Sequence, residues 1–277
     1  MEAPINKIIE FSTVDGPGLR TSIFVQKCNI HCLYCHNPET QNLCTNCTKC
    51  VKTCPSNALS VLNGKVVWDK DKCLNCDTCI KVCENHASPK VKYMSAKDTF
   101  DIVKKNIPFI RGITVSGGEC SLYPDFLYSL FSYAKREGLS CLMDSNGMVD
   151  YSNYSNLMNL VDGVMLDIKS WNNEIYKKLT GYSNDIVKKN LLYLAKLDKI
   201  TELRIVYIKD YVDALDCLLG IYNILKDFRL DIPIKLIKFR KNGVRGILEN
   251  MPSPSDDEMN QLKDYAISLG FTNVIIR

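Results

Sequence analysis

Short apolar runs rich in β-branched residues recur along the chain, and longer amphipathic segments separate them. Runs of this length and composition are typical of strands that are buried on both faces of a parallel sheet. The pattern predicts seven strands, at residues 21–25, 113–115, 141–143, 164–168, 203–208, 234–239 and 274–276.

Helical periodicity and end signals mark the clearest helices between these strands. Residues 96–106 follow Ser95 as a helix N-cap, residues 124–137 end before Gly138, and residues 256–269 end before Gly270. The order is a strand–helix unit repeated about six times, which predicts an α/β fold. Right-handed crossovers would curl the sheet into a partial or full barrel, with functional residues at the carboxyl ends of the strands.

Polar motifs follow three of the predicted strands. Residues 116–119 read Ser-Gly-Gly-Glu, residues 144–147 read Asp-Ser-Asn-Gly, and residues 167–169 read Asp-Ile-Lys. All three would lie at one rim of the sheet. The pair Gly117 and Gly118 would let the backbone approach a ligand and expose its N–H groups, and Glu119 could bind an ammonium group. The alternative for the glycine pair is an ordinary turn.

Composition fits one principal domain with an insert, because 277 residues with 46% hydrophobic and 24% charged residues suffice for a large core. The formal net charge is only +4, and no block of Lys and Arg resembles a nucleic-acid footprint. No run of 18 apolar residues occurs, and the N-terminal residues lack the apolar stretch of a signal peptide. We expect a soluble cytoplasmic protein with no membrane or nucleic-acid partner.

Cys28, Cys32 and Cys35 have a spacing that can hold one iron-sulfur cube at three corners. Such clusters normally take four thiolates, so a set of three leaves one iron open for a substrate or cofactor. The alternative is a tetrahedral zinc site, with His31 or His36 as the fourth ligand.

Two further runs of four cysteines follow, and each member of the first recurs 29 positions later. Their C-x2-C-x2-C-x3-C pattern holds [4Fe-4S] clusters in two-cluster ferredoxins, where the fourth cysteine of each run ligates the other cluster. The predicted sets are therefore crossed: Cys44, Cys47, Cys50 and Cys83 for one cube, and Cys73, Cys76, Cys79 and Cys54 for the other. We expect a ferredoxin-like α+β insert at residues 43–92, within a barrel formed by residues 1–42 and 93–277.

The remaining cysteines, Cys120, Cys141 and Cys217, lie in apolar or loop contexts, where buried thiols are expected. Because the other eleven belong to candidate cluster sets, a secreted disulfide scaffold is not expected.

The three-cysteine run resembles the signature of the radical S-adenosylmethionine (radical SAM) enzymes. Asp-Gly-Pro-Gly-Leu-Arg at residues 15–20, Cys-His-Asn-Pro at residues 35–38 and the three rim motifs follow the order found in glycyl radical enzyme activating enzymes of that superfamily. With the two-cluster insert, the chain most resembles the branch called YjjW.

This resemblance implies a partial (β/α)6 TIM-like barrel that opens onto a S-adenosylmethionine cluster held by Cys28, Cys32 and Cys35. It also implies that the cofactor is held by rim residues: Gly117, Gly118 and Glu119 at its methionine moiety, and Asp144 and Lys169 at its polar groups. Some members also have a monovalent-cation site, which matches Asp144, Ser145, Met165 and Asp167 here.

Two arginines are further candidates for cofactor contact. Arg204 lies inside a predicted strand, where a charge generally needs an anionic partner. Arg240 lies where some relatives carry a cofactor-contacting His, and it could donate to the ribose or carboxylate or pair with a surface acid. Two other departures are Lys27, where relatives usually have Gly, and Cys120, where they often have Pro.

The function implied by the resemblance is activation of a glycyl radical enzyme by a monomeric protein. Its cofactors would be S-adenosylmethionine and three [4Fe-4S] clusters, with the insert passing electrons from flavodoxin or ferredoxin. S-Adenosylmethionine would be cleaved to a 5′-deoxyadenosyl radical that abstracts hydrogen from a glycine of the partner. Two alternatives stay open: a radical SAM enzyme acting on a small molecule or another peptide, and a ferredoxin-type electron carrier.

Overall fold

The computed structural model describes all 277 residues and contains eleven strands and nine α-helices. The strands are β1 Glu2–Ser12, β2 Arg20–Val25, β3 Leu59–Leu62, β4 Lys65–Trp68, β5 Lys92–Ser95, β6 Gly112–Gly117, β7 Ser140–Ser145, β8 Gly163–Asp167, β9 Ile200–Tyr207, β10 Ile234–Lys238 and β11 Val274–Ile276. The helices are α1 Lys49–Thr53, α2 Thr78–Lys81, α3 Ala96–Lys104, α4 Pro124–Arg136, α5 Ser155–Leu160, α6 Asn173–Thr180, α7 Asp185–Lys196, α8 Ala214–Leu225 and α9 Asp256–Ser268.

Nine strands form one sheet in the order β11-β10-β9-β8-β7-β6-β2-β1-β5. Every neighbouring pair from β2 to β11 is parallel, whereas β1 pairs antiparallel with both β2 and β5. The seven predicted parallel strands and the α/β fold are confirmed. Because β11 and β5 are edges that do not pair with each other, the sheet is open, and the full-barrel alternative is wrong.

The three predicted helices are present as α3, α4 and α9, with ends one or two residues from the predicted positions. Ser95 caps α3, since its hydroxyl accepts a hydrogen bond from the backbone N–H of Asp98. Ser255 and Glu258 form a capping box at the start of α9. Helices α3 and α9 therefore begin where a side chain satisfies an otherwise free N–H group. Helix α4 has no side-chain cap and begins with Pro124, which has no N–H group to satisfy.

The sequence pattern did not reveal β1, β5 or helices α5 to α8. Strand β1 lies near the sheet edge and its register shifts twice against β2, so its apolar residues do not alternate regularly. Helix α8 is apolar on most faces (ALDCLLGIYNIL), which hides the 3.6-residue period.

Arg20 occupies the end of the sheet opposite to the carboxyl ends of the parallel strands. Its side chain is 1% exposed and donates hydrogen bonds to Thr114 Oγ1, the Ile113 carbonyl, and the carbonyl and hydroxyl of Ser140. These partners lie at or near the first residues of β6 and β7. The Asp-Gly-Pro-Gly-Leu-Arg motif therefore lies at the amino-terminal end of the sheet. The hydrogen bonds of its arginine to neutral oxygens offset the cost of burying the charge.

Helix α1, the β3–β4 hairpin and α2 pack around the buried side chains of Cys50, Leu59 and Cys79. Lys92, the last residue of the predicted insert, already belongs to β5 of the main sheet. The backbone repeats with the same offset as the cysteines. Left-handed residues occur in pairs 29 positions apart: Asn46 and Asn75, Thr48 and Asp77, and Asn57 and His86. The sequence duplication is therefore also a duplication of backbone conformation.

None of the helices is long and apolar enough to cross a bilayer. All three of the remaining cysteines are buried thiols, as predicted, and all fourteen cysteines are free.

Candidate active site

A cavity of about 290 Å³ lies at the carboxyl ends of the parallel strands. Cys28, Cys32 and Cys35 line it from the loop after β2. The facing side carries most of the rim residues predicted from the sequence: Gly117, Gly118, Glu119, Asp144, Ser145, Asp167, Lys169 and Arg204. Residues from six strands or the loops that follow them thus converge on one space.

The cysteine loop is held by backbone hydrogen bonds on both sides. Cys28 N–H donates to the Gln41 carbonyl at 2.9 Å, and Lys27 N–H donates to the Thr40 carbonyl at 2.8 Å. Lys27 has φ +82°, so the turn keeps the left-handed backbone that suits glycine even though a lysine occupies it. Lys27 therefore carries backbone strain at this turn.

The glycine pair after β6 lets the rim approach the cysteine loop closely. A Cβ on Gly117 would lie 2.2 Å from the Val25 carbonyl oxygen, and one on Gly118 would lie 2.2 Å from the Lys27 carbonyl oxygen. A Cβ atom and a non-bonded carbonyl oxygen do not approach each other this closely. These glycines are therefore required for contact between two backbone segments, in addition to any ligand that the cavity holds.

Glu119 is buried, with 1% exposure, and organises the rim. One carboxylate oxygen accepts hydrogen bonds from the Ser121 N–H and hydroxyl and from the Ser145 hydroxyl, and the other accepts from the Asn146 N–H at 2.7 Å. Burial raises the pKa of Glu119, and these donors oppose that shift. The carboxylate thus fixes the positions of both neighbouring motifs.

Arg204 has the anionic partners expected of a charge inside a strand. Its guanidinium lies 2.8 Å from Asp144 Oδ1 and 2.5 Å from Glu202 Oε1. Burial lowers the pKa of Arg204, but Asp144, Asp167 and Glu202 outweigh that effect and raise it overall. Burial likewise raises the pKa of Asp144, and Arg204 opposes the shift.

Lys169 lies between the acidic rim and the cysteines. Its Nζ is 2.9 Å from Asp167 Oδ2 and 5.8 Å from the centre of the Tyr34 ring. Burial lowers the pKa of Lys169, but Asp167 and Cys32 more than compensate, so the ammonium form is favoured. A fixed positive charge therefore stands beside the Cys32 sulfur.

The candidate cation ligands are already engaged with other polar and basic side chains. Asp144 Oδ2 accepts from the Ser116 hydroxyl while Oδ1 pairs with Arg204, and Asp167 pairs with Lys169. Met165 is fully buried, its sulfur 3.2 Å from Arg204 Nη2, and it does not line the cavity.

Burial raises the pKa of Cys28 to about 12 and that of Cys32 to about 11, while Lys169 lowers both. These thiols need a bound cationic group or cluster to become thiolates at neutral pH.

His36 Nε2 lies 2.9 Å from the Arg240 carbonyl oxygen. No group of three or more His, Cys, Asp or Glu side chains is arranged to hold one metal ion.

Comparison with known proteins agrees with this geometry. Residues 22–215 match the Radical SAM superfamily. The indoleacetate decarboxylase activating enzyme of Tractidigestivibacter scatoligenes is 30% identical over 99% of this chain and 98% of its own length. This chain belongs to the glycyl radical enzyme activating enzymes of the radical SAM superfamily.

A second relative of this radical SAM chain is the trans-4-hydroxy-L-proline dehydratase activating enzyme of Clostridioides difficile, 34% identical over 69% of this chain and 68% of its own length. Among solved structures, QueE from Escherichia coli covers all of this chain and 94% of its own, with 15% identity and a TM-score of 0.54. At that identity the likeness shows a shared fold.

The radical SAM cavity does not include Arg240. That side chain is exposed, and the only contact from this position toward the cysteine loop is through its backbone carbonyl to His36. The expected donation from Arg240 to a cofactor therefore has no support in this geometry. Strand β10 ends before it, at Lys238.

The eight cysteines of the insert line two small cavities of about 20 Å³ each. One is lined by Cys44, Cys47, Cys50 and Cys83, and the other by Cys54, Cys73, Cys76 and Cys79. Each cavity thus takes three cysteines from one run and one from the other. Glu84, which stands where the first run has Pro55, lies at the surface and pairs with Lys49 at 2.7 Å.

Sequence reasoning missed two polar residues that contact the candidate cluster loops. Asn146 donates toward the Cys28 sulfur, and Arg245 donates to the carbonyls of Ile80 and Cys83 in the insert. Asn146 stands inside the Asp-Ser-Asn-Gly motif, which was a usable signal. Arg245 lies in a loop without a motif, and only the folded chain brings it to the insert.

Proposed function

We propose that this chain activates a glycyl radical enzyme by cleaving S-adenosylmethionine at a [4Fe-4S] cube held by Cys28, Cys32 and Cys35. When bound, the cube and S-adenosylmethionine together supply a one-electron cleavage that yields a 5′-deoxyadenosyl radical, which takes a hydrogen atom from a glycine of the partner. The observation that carries the proposal is the convergence of three free thiols and a polar rim on one cavity.

In this proposal the rim binds the cofactor through both backbone and charge. Gly117 and Gly118 bring backbone groups to the cavity wall, and Lys169 offers an ammonium group to a carboxylate. Asp144 and Arg204 form a paired polar surface opposite the cysteines. Glu119 acts chiefly by holding this rim in place, because both of its carboxylate oxygens accept hydrogen bonds from within the chain.

We further propose that residues 43–92 form a ferredoxin-like insert with two more [4Fe-4S] cubes, as in the YjjW-type branch. The crossed lining of the two small cavities and the repeated backbone support this assignment. Gln41 lines the catalytic cavity and stands three residues before Cys44. The cube of Cys44, Cys47, Cys50 and Cys83 is therefore the one that would pass electrons to the catalytic cube.

The proposed electron donor is a small acidic carrier, flavodoxin or ferredoxin. Residues 43–92 contain eight lysines and four acidic residues, a side-chain balance of +4 that equals the net charge of the whole chain. A cavity of about 680 Å³ beside the insert is lined by four lysines and three acidic side chains. It shares Trp68, Asp77 and Lys90 with the small cavity that Cys54, Cys73, Cys76 and Cys79 line. Charge complementarity of this kind speeds encounter with an acidic partner.

The proposed site also includes a monovalent cation among Asp144, Ser145, Met165 and Asp167. It would have to compete with Arg204 and Lys169 for the same carboxylates. Soaking with potassium and measuring S-adenosylmethionine affinity would reveal it as a potassium-dependent rise in affinity, and no dependence would remove the site from the proposal.

The direct test is anaerobic reconstitution followed by mixing with reductant, S-adenosylmethionine and a glycyl radical enzyme encoded beside this chain. We expect about twelve iron atoms per chain, four for each of three cubes, and a glycine-centred doublet in the electron paramagnetic resonance (EPR) spectrum of the partner. S-Adenosylmethionine cleavage without a doublet on any candidate partner would favour a small-molecule or peptide substrate instead. Zinc in place of iron and sulfide would end the proposal.

A further inference from the structure

Asn146 places a side-chain amide against the sulfur of Cys28. Its Nδ2 lies 3.5 Å from Cys28 Sγ and 2.9 Å from Asn29 Oδ1, so the two hydrogens of one amide group have two separate acceptors. Asn146 is 6% exposed and lines the same cavity as the three cysteines. None of the assigned roles uses this contact.

Two backbone contacts fix which way this amide faces. The Met148 N–H donates to Asn146 Oδ1 at 2.9 Å, so the oxygen side is occupied and the nitrogen side must face Cys28. The Asn146 N–H itself donates to Glu119 Oε2 at 2.7 Å. The donor is therefore held rigidly by the same carboxylate that organises the rim, and it needs no rearrangement to reach the sulfur.

Reduction of an iron-sulfur cube adds one negative charge, which is shared with the ligating sulfurs. A hydrogen bond donated to a ligating sulfur stabilises the reduced form more than the oxidised form, and so raises the reduction potential. In a cavity screened from solvent this effect is stronger than in water. A pre-oriented N–H group at one of only three cysteine ligands would therefore make the cube easier to reduce.

We propose that Asn146 is a positioning residue that raises the reduction potential of the catalytic cube by donating a hydrogen bond to Cys28. The inference rests on the proposed function, since it requires a cube at Cys28, Cys32 and Cys35. It adds a residue that sets how readily electrons from the insert reach that cube.

The test is a potentiometric titration of the reconstituted full chain, followed by EPR. The catalytic cube is identified as the one whose signal changes when S-adenosylmethionine is added, because only a cube with an open iron can bind it. Asn146→Leu replaces the amide donor with an apolar side chain of similar size. We expect the midpoint potential of that cube to move to a more negative value, with unchanged iron content. Asn29→Ala is the matched control, since it removes the neighbouring acceptor but keeps the donor, and it should leave the potential unchanged.

An unchanged potential in Asn146→Leu, with full iron loading, overturns the inference and leaves the proposed function standing. A chain in which no cube responds to S-adenosylmethionine overturns the proposed function and this inference with it. Should Asn146→Leu fail to load its cube, pulsed EPR of the reduced wild-type chain, labelled with 15N at the side-chain amide of asparagine, decides the matter. A 15N coupling to the responsive cube supports the hydrogen bond, and the absence of one overturns it.

Discussion

The catalytic cavity, formed by the Cys28–Cys35 loop and the polar rim, and the insert both bring cysteines together. They do so in different ways. The insert closes each cavity with cysteines from two adjacent runs only 29 residues apart, on a backbone that repeats with the same offset. The rim draws on loops after β2, β6, β7 and β8 and on strands β9 and β10, and so spans more than 200 residues of the chain. Local repetition builds the first region, and the whole sheet builds the second.

This difference predicts opposite responses to loss of one cysteine. Cys28→Ala should reduce S-adenosylmethionine cleavage by more than the roughly 10–100-fold typical for loss of an outer-shell partner, with any reductant. Cys76→Ala should leave cleavage with dithionite nearly intact and impair it only with a protein donor. Cleavage product measured by chromatography distinguishes the two, with Cys217→Ala as the control, since that buried thiol belongs to no set. If Cys76→Ala lost as much cleavage activity with dithionite as with the protein donor, the insert and the catalytic cavity would not act separately.

Glu119→Ala tests how far the rim depends on one buried carboxylate. Removing it leaves the Ser121 and Asn146 N–H groups without their acceptor, and each buried orphan costs about 1–3 kcal/mol. We expect the free energy of unfolding to fall by about 3 kcal/mol in total, measured by denaturant titration. Glu249→Ala, at an exposed position, should change it by less than about 0.5 kcal/mol. If Glu119→Ala and Glu249→Ala changed the free energy of unfolding equally, other contacts would hold the rim in place.

Arg245→Ala tests how the two regions are joined. The guanidinium donates to the Ile80 carbonyl at 3.1 Å and lies 3.4 Å from His86 Nδ1, so it fastens the insert to the loop after β10. Its loss should make local opening of residues 43–92 easier by about 1–2 kcal/mol, seen as faster amide hydrogen exchange there and not in the sheet. Arg229→Ala, which removes only exposed ion pairs, should leave the exchange of the insert unchanged.

Lys27→Gly should have the smallest effect, in the stabilising direction. A lysine at φ +82° carries backbone strain of about 1–3 kcal/mol, part of which glycine gives back through the greater entropy of its unfolded chain. A rise in melting temperature equivalent to about 1 kcal/mol is expected in calorimetry. Lys7→Gly in β1, where no such strain exists, should lower stability by about 0.5–1 kcal/mol. A fall in stability for Lys27→Gly would mean that the lysine side chain makes a contribution that exceeds the strain.

The sequence allowed all seven parallel strands to be predicted, because buried strands are written in short-range patterns. Strand β6 needed only its β-branched run. The crossed cysteine sets stay a prediction from spacing, and the lining of the two small cavities agrees with them. What could not be predicted depends on tertiary contacts between residues far apart in the sequence. Three contacts or positions follow from how separate strands are placed side by side. Glu119 accepts hydrogen bonds from Ser145 and Asn146, Arg204 pairs with Asp144, and Arg240 lies outside the cavity.

The exchange of one cysteine between the two runs of the insert has a consequence for how this part of the molecule can change. Cys54 completes the cavity of the later run, and Cys83 completes that of the earlier one. Deleting either run would remove three walls of one cavity and the fourth wall of the other. Neither run can therefore close a four-cysteine cavity alone, and the doubled unit can be lost only as a whole.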